Sequence, residues 1–294
     1  LIVTADDFGI GPATTQGILE LAQQRRITAT VLLVNSPFAE PAVHAWRQAG
    51  RPVELGWHPC LTLDAPVLAA HLVPTLVDAR GRFWPLGKFA GKLLCGRIDH
   101  GEIEAELRAQ LQRFCELVGQ PPSTVNSHHH VQVFPPVGAI LQRVLAGLPR
   151  PYMRRVREPW TTITAIPGAR GKRAFLNALG RREARLQERA GISGNDWLAG
   201  VTDPPYVADP AFLARWLTRL PGQVGELTCH PGHHDVTLIG RDCTPHDGQL
   251  RRRTDELALL QQSDYLTVCR QAGWNLVSPA EWLAGRAGFL ARVA

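Results

Sequence analysis

The 294-residue chain has no run of about 18 apolar residues, so no segment is expected to span a membrane. Its six cysteines, at positions 60, 95, 115, 229, 243 and 269, include no CxxC pair. That excludes zinc-finger spacing and a compact disulfide framework. Reduced thiols in a cytoplasmic protein are the expected state. Internal repeats, low-complexity tracts and linkers are absent too, so residues 1–294 are expected to form a single domain. The chain opens without methionine and Leu1 already lies in an apparent strand, so the natural start is expected upstream. The net charge of +6 is largely local: residues 170–189 hold seven Lys or Arg against two Glu. That stretch has one aromatic, Phe175, and no recognition motif. A solvated helical face is expected there, with contact to an acidic surface or substrate as the alternative, and nucleic acid is not an expected partner. An apolar fraction of 45% with 20% charged residues excludes global disorder.

What is present alternates strand with helix. Residues 1–5 read as a strand and 12–26 as a helix with Ile18, Leu19 and Ala22 on one face. A β-branched strand over 28–34, a short helix over 40–48 and a third strand over 53–57 follow. Residues 65–98 are irregular and punctuated by Pro and Gly, with a turn at 78–82. An insertion of that length is expected to be a lid or a substrate wall. Asp99 and Glu102 form a capping box before a helix carrying Ile103, Leu107, Leu111, Phe114 and Leu117. A fourth strand leads into three adjacent histidines, Pro135-Pro136 starts a helix, and 152–156 reads as a fifth strand. Beyond it come the basic helix, a loop over 191–205, a helix near 212–220 and a strand over 224–229. Residues 247–272 read as one long helix stopped by Gly273, 275–277 as a last strand, and Ser278 with Glu281 as the cap of a last helix. The order implies α/β class with mainly parallel strands, in an irregular (β/α) TIM-like barrel.

Four of these apolar runs end in ionisable groups: Asp6-Asp7, His58, His128-His129-His130 and His230. Carboxylates and imidazoles at the ends of separate strands build a metal or acid–base site in an α/β enzyme. Adjacent carboxylates repel, so burying both Asp6 and Asp7 requires a cation or proton between them; two helix caps before Pro12 are the plainer reading. In a strand, His128 and His130 would face one side and His129 the other. Two imidazoles with one carboxylate make a facial ligand set that leaves positions open for water and substrate. Alone, His58 reads more readily as a hydrogen-bonded core residue than as a ligand; His128 to His130 strengthen the ligand reading. His230, before Pro231-Gly232, is either a satisfied strand-end histidine or a general acid active near neutral pH. Cys60 and Cys229 read as small buried residues.

Taken together, Thr4-Ala5-Asp6-Asp7-Phe8-Gly9, Gly56-Trp57-His58, Asn126 to Val131 and Glu226 to Gly232 resemble the YdjC-like carbohydrate deacetylases. The resemblance runs from the first residues past His230. It implies a divalent metal, magnesium or zinc, and hydrolysis of an N-acetyl group on an amino sugar, in an oligosaccharide or glycolipid. By motif, Asp7, His58 and His128 would ligate the metal, Asp6 would be the general base and His230 the general acid. Arg154 would orient the sugar, and Trp57 is the aromatic expected on the substrate side. Asn126 stands where the family usually has Asp, and Gln132 where it usually has His. An Asp at 126 is expected to orient a ligand histidine, which Asn can do only without charge. Two other readings stay open: a metal-dependent phosphoesterase drawing on Arg154, Arg155 and Arg157, and a sugar-binding protein without activity. A homo-oligomer is also left open.

Overall fold

A computed structural model describes residues 1–285 of the chain. Seven strands form a curled sheet: β1 (Ile2–Phe8), β2 (Ala29–Leu32), β3 (Glu54–Trp57), β4 (Thr124–Val125), β5 (Tyr152–Met153), β6 (Trp197–Ala199) and β7 (Gly225–Cys229). Their order is β5-β4-β3-β2-β1-β7-β6, with every pairing parallel. β1 lies inside the sheet, between β2 and β7, and is buried throughout, as a strand covered on both faces must be. The main core joins Val3, Leu32, Leu55, Val125 and Leu227 of the sheet to Ile18, Val43, Leu107 and Ile140 of the surrounding helices. Because all strands run the same way, the residues that follow β1, β3, β4 and β7 meet at one end of the sheet.

The edge strands are joined outside the ladder. Met153 donates its backbone N–H to the Ser193 carbonyl at 2.8 Å, and Leu198 donates to Arg157 at 2.8 Å. Between these, the Asn195 side chain accepts from the Arg155 N–H at 2.7 Å and donates to the Arg155 carbonyl at 2.9 Å. A side-chain amide thus takes the place of a peptide group of a neighbouring strand.

The expected barrel-like α/β architecture forms, with local differences. The fourth strand ends at Val125, before the histidines; His128–Val133 is a tight 3-10 turn with His129 at φ 54° and His130 at φ 55°. The strand-like alternation of the three imidazoles is therefore corrected. β6 lies within the stretch read as loop, because three residues are too few to show a period. The long helix expected over 247–272 is two, Gln249–Gln261 and Tyr265–Gln271, since an extended Gln262 breaks it and lets Tyr265 turn into the core. Residues 275–277 form no strand; they hold the N-terminus, with Leu1 N donating to Asn275 O at 2.6 Å and Val277 N to Leu1 O at 3.0 Å. One facing residue cannot make a ladder. Within 65–98 the structure contains a helix, Leu86–Leu94, that its Pro and Gly content concealed. Asp99 caps the next helix, but Glu102 bonds Thr75 instead of closing the box. The reciprocal Ser278–Glu281 bonds form as expected.

The basic helix Arg170–Arg189 packs closely on the chain after β5, where a Cβ on Gly180 would lie 1.7 Å from the Val156 carbonyl oxygen. Gly180→Ala is expected to cost about 2 kcal/mol, because overpacking against backbone outweighs the better helix propensity of Ala. Urea unfolding measures it; equal or greater stability of the alanine variant would show that this close approach is not needed.

Candidate active site

The site begins with an irregularity in β1. Its pairing with β2 passes from Ala5↔Thr30 to Phe8↔Leu32, so β1 carries one residue more than its partner across Asp6-Asp7. Asp7 sits at φ 65°, a strained conformation for a non-glycine residue. The bulge turns both carboxylates toward the C-terminal end of the sheet. Neither caps a helix: the helix Pro12–Gln23 has Gly11 at its N-cap.

Asp6 is enclosed by donors. Arg154 grips it with two nitrogens, Nη1 to Oδ2 at 2.6 Å and Nη2 to Oδ1 at 2.8 Å. Thr228 adds an O–H at 2.9 Å and Asn126 an amide N–H at 3.4 Å. Although burial pushes the other way, the Arg154 guanidinium holds the Asp6 carboxyl well below the usual carboxylate range. Asp6 is therefore an ionised acceptor fixed in place. The third Arg154 nitrogen bonds Glu226 at 2.7 Å, and Glu226 is further held by Thr4 and Tyr152, each at 2.9 Å.

Asp7, His58 and His128 converge beside it. Asp7 Oδ1 lies 3.3 Å from His58 Nε2 and 2.9 Å from His128 Nδ1. Backbone bonds hold both residues in place: the His58 N–H donates to Leu32 O and the His128 N–H to Pro59 O, each at 3.0 Å. His58 Nδ1 donates to the Asn126 carbonyl at 2.8 Å. In the neutral ring that bond leaves a lone pair on Nε2 facing the Asp7 carboxylate, an arrangement that calls for a cation between them. The donor set, one carboxylate and two imidazoles, all buried, fits a divalent ion. Asp7 stays ionised because Arg253, and then His128, outweigh its burial. The His58 ring is oriented by the Asn126 backbone carbonyl and not by its side chain. The amide instead supports Asp6.

His230 closes the far side, with Nε2 3.9 Å from Asp6 Oδ2. Its backbone N–H bonds Glu256, and Arg252 lies 3.4 Å from Nδ1. Burial, followed by Arg252, pushes the imidazole down to about 4, below the near-neutral value expected from sequence. Asp6, Asp7, His58, His128, Thr228, His230 and Arg252 line one cavity of about 390 Å³, which is also lined by Leu86, Phe134, Lys172 and Phe175. Two expectations fail. Trp57 is fully buried and is not among the residues lining the cavity, and Arg154 is buried against Asp6 and Glu226, so neither presents a surface to a sugar. Asp242, Arg252, Arg253 and Glu256 belong to the site but gave no signal in sequence. They lie on a loop and a polar helix that read as surface.

A family model described as YdjC-like protein matches residues 1–271. The chain belongs to the YdjC-like family. Among relatives, this YdjC-like chain is 31% identical to a carbohydrate deacetylase of Geobacillus stearothermophilus over 287 residues, 96% of this chain and 97% of the relative. It is 33% identical to a carbohydrate deacetylase of Mus musculus, covering 82% and 80%. A chitooligosaccharide deacetylase of Serratia marcescens is 32% identical, covering 83% and 87%. Among solved structures, an Enterococcus faecalis V583 protein assigned to cellobiose-phosphate cleavage superposes with a TM-score of 0.77 at 23% identity, covering 95% and 97%. That likeness shows a shared fold alone.

Proposed function

We propose that this protein hydrolyses the N-acetyl group of an N-acetylated amino sugar, releasing acetate, with a divalent ion, magnesium or zinc, held by Asp7, His58 and His128. The observation that carries the reading is the pairing, on one cavity floor, of that donor set with a separately ionised Asp6. The names of the relatives support the same reaction.

When bound, the ion supplies Lewis-acid polarisation of the acetamide carbonyl and makes water acidic enough to be deprotonated. Asp6, fixed by Arg154 and Thr228, accepts a proton from the attacking water as the new C–O bond forms. His230 enters neutral at pH 7, and its Nε2, 3.9 Å from Asp6 Oδ2 here, receives that proton once the two groups close to hydrogen-bond distance. Transfer is favourable in that direction, since Asp6 is the weaker base of the two. His230 then protonates the amine nitrogen as the C–N bond breaks, which spares the reaction an amide anion as leaving group. Thr228 and Asn126 keep Asp6 from rotating away during the cycle.

The arginines that a phosphoesterase would use are committed elsewhere: Arg154 to Asp6 and Glu226, Arg155 to Asn195 and Ile192, and Arg157 to Asp196 and Glu188. The insertion over 65–98 fits a fixed wall better than a lid. Val67 and Leu68 bond Glu106, and Thr75 bonds Glu102, while Leu86 reaches the cavity. No helix among the described residues is long and apolar enough to cross a membrane. A cytoplasmic location belongs to the same proposal, supported by six free cysteines.

The test is acetate release from N-acetylglucosamine oligomers and glycosides by metal-stripped protein, with magnesium, zinc, cobalt or manganese restored singly. Turnover restored by at least one ion is expected. Release of inorganic phosphate from sugar phosphates, with no acetate from any acetylated sugar, would sink the reading.

A further inference from the structure

His128 lies between two clusters of donor atoms. Asp7, His58 and His128 make one; His128, His129 and Asp242 make the other. A neutral imidazole has a single ring lone pair, so it cannot serve an ion in both. Nδ1 is the nitrogen turned toward Asp7, at 2.9 Å, and Asp7 Oδ1 in turn faces His58 Nε2 at 3.3 Å. Nδ1 is thus the donor for the first cluster, and Nε2 must carry the hydrogen. Nε2 is buried and has no hydrogen-bond partner among the described residues. Asp242 Oδ1 lies 3.6 Å away, just beyond hydrogen-bond range. In the structure, the ring is drawn toward Asp7 by its Nδ1 contact. Giving up that contact frees it to approach Asp242.

The other Asp242 oxygen is held by Arg253 Nη2 at 2.9 Å, and the same nitrogen donates to Asp7 Oδ2 at 2.7 Å. One guanidinium nitrogen therefore ties both carboxylates together. It occupies Oδ2 of Asp7 and leaves Oδ1 as the oxygen free to ligate.

We propose that Asp242 and Arg253 are positioning residues of the metal centre and that the His128–His129–Asp242 cluster is not a second ion site. Asp242 accepts the Nε2–H of His128, which selects the tautomer with its lone pair on Nδ1. Arg253 limits Asp7 to one donating oxygen and keeps Asp242 in place. This rests on the metal reading above. The general chemistry agrees: a ligating histidine commonly donates its other N–H to a carboxylate, and loss of that partner weakens metal binding about 10–100-fold.

The experiment is calorimetric titration of stripped wild type, Asp242→Asn, Asp242→Ala and Asp242→Glu with zinc, alongside visible spectra of the cobalt-loaded proteins. Circular dichroism and thermal unfolding establish that each variant is folded. Wild type is expected to bind one zinc per chain. Asp242→Asn, nearly isosteric, is expected to bind about 10–100-fold more weakly with a shifted cobalt spectrum, and Asp242→Glu to recover part of the loss. Two zinc ions per wild-type chain, one lost in Asp242→Asn, would make Asp242 a ligand and overturn the proposal. So would a folded Asp242→Asn with wild-type affinity and spectrum, even if it melts earlier, since that is a structural role alone. No zinc binding by wild type would instead remove the metal reading itself, and this inference with it.

Discussion

Arg154→Met is expected to destabilise the fold by about 3–5 kcal/mol in urea unfolding, the cost of removing one partner from a buried ion pair. The Arg154 side chain is fully buried, and its nitrogens are divided between Asp6 and Glu226. Methionine fills comparable space but leaves two carboxylates in the interior without a cation. The hydroxyls of Thr4, Tyr152 and Thr228 remain to them, which satisfies hydrogen bonds but not charge. Burial, no longer opposed by Arg154, would raise the Asp6 carboxyl, so the variant should also lose its proton acceptor. In the wild type the sign is the reverse. Because the folded Asp6 titrates below its usual range, its stabilisation is present above that range and is lost only as pH falls through the folded value. Arg154→Lys should fall between, keeping the charge and losing the two-pronged grip. A methionine variant as stable as wild type would mean that Asp6 and Glu226 carry no net buried charge.

The second large effect separates the two aspartates. Asp6→Asn is expected to lower kcat by about 10²–10⁴-fold, the range for loss of a general base, while zinc affinity stays close to wild type. Asp6 lies outside the donor set, and asparagine keeps its shape. His128→Ala removes a ligand and should abolish both zinc binding and acetate release. Near-normal turnover by Asp6→Asn would exclude it as the base. Zinc binding by His128→Ala at wild-type strength would place the ion elsewhere.

Much of this site was legible because it is built from strand ends. A short apolar run stopping at Asp6-Asp7, His58 or His230 marks both a strand and the end from which chemistry projects, and the parallel sheet brings those ends together. What escaped was whatever depends on conformation or on distant pairing. The three histidines look like a strand, yet two consecutive left-handed residues break the alternation and leave all three lining one cavity. Arg154 and Trp57 look available, because sequence does not reveal that Glu226 and Asp6 will enclose the one and the core the other. Arg253 and Glu256 face inward from a helix whose polar composition resembles a surface helix; their partners Asp7, Asp242 and His230 explain them. Asn126 was read as a weakened charge, whereas the contact that matters to His58 comes from its backbone and is indifferent to the side chain.

The Asn195 amide that joins the two margins of the sheet bears on how the protein behaves in a crowded solution. A parallel sheet left open presents two rows of unsatisfied peptide groups, and such rows recruit strands from neighbouring molecules. Here Met153, Arg155 and Arg157 on one margin are already engaged by Ser193, Asn195 and Leu198 on the other. The molecule pairs with itself where it would otherwise pair with a copy, and a single asparagine completes that self-pairing.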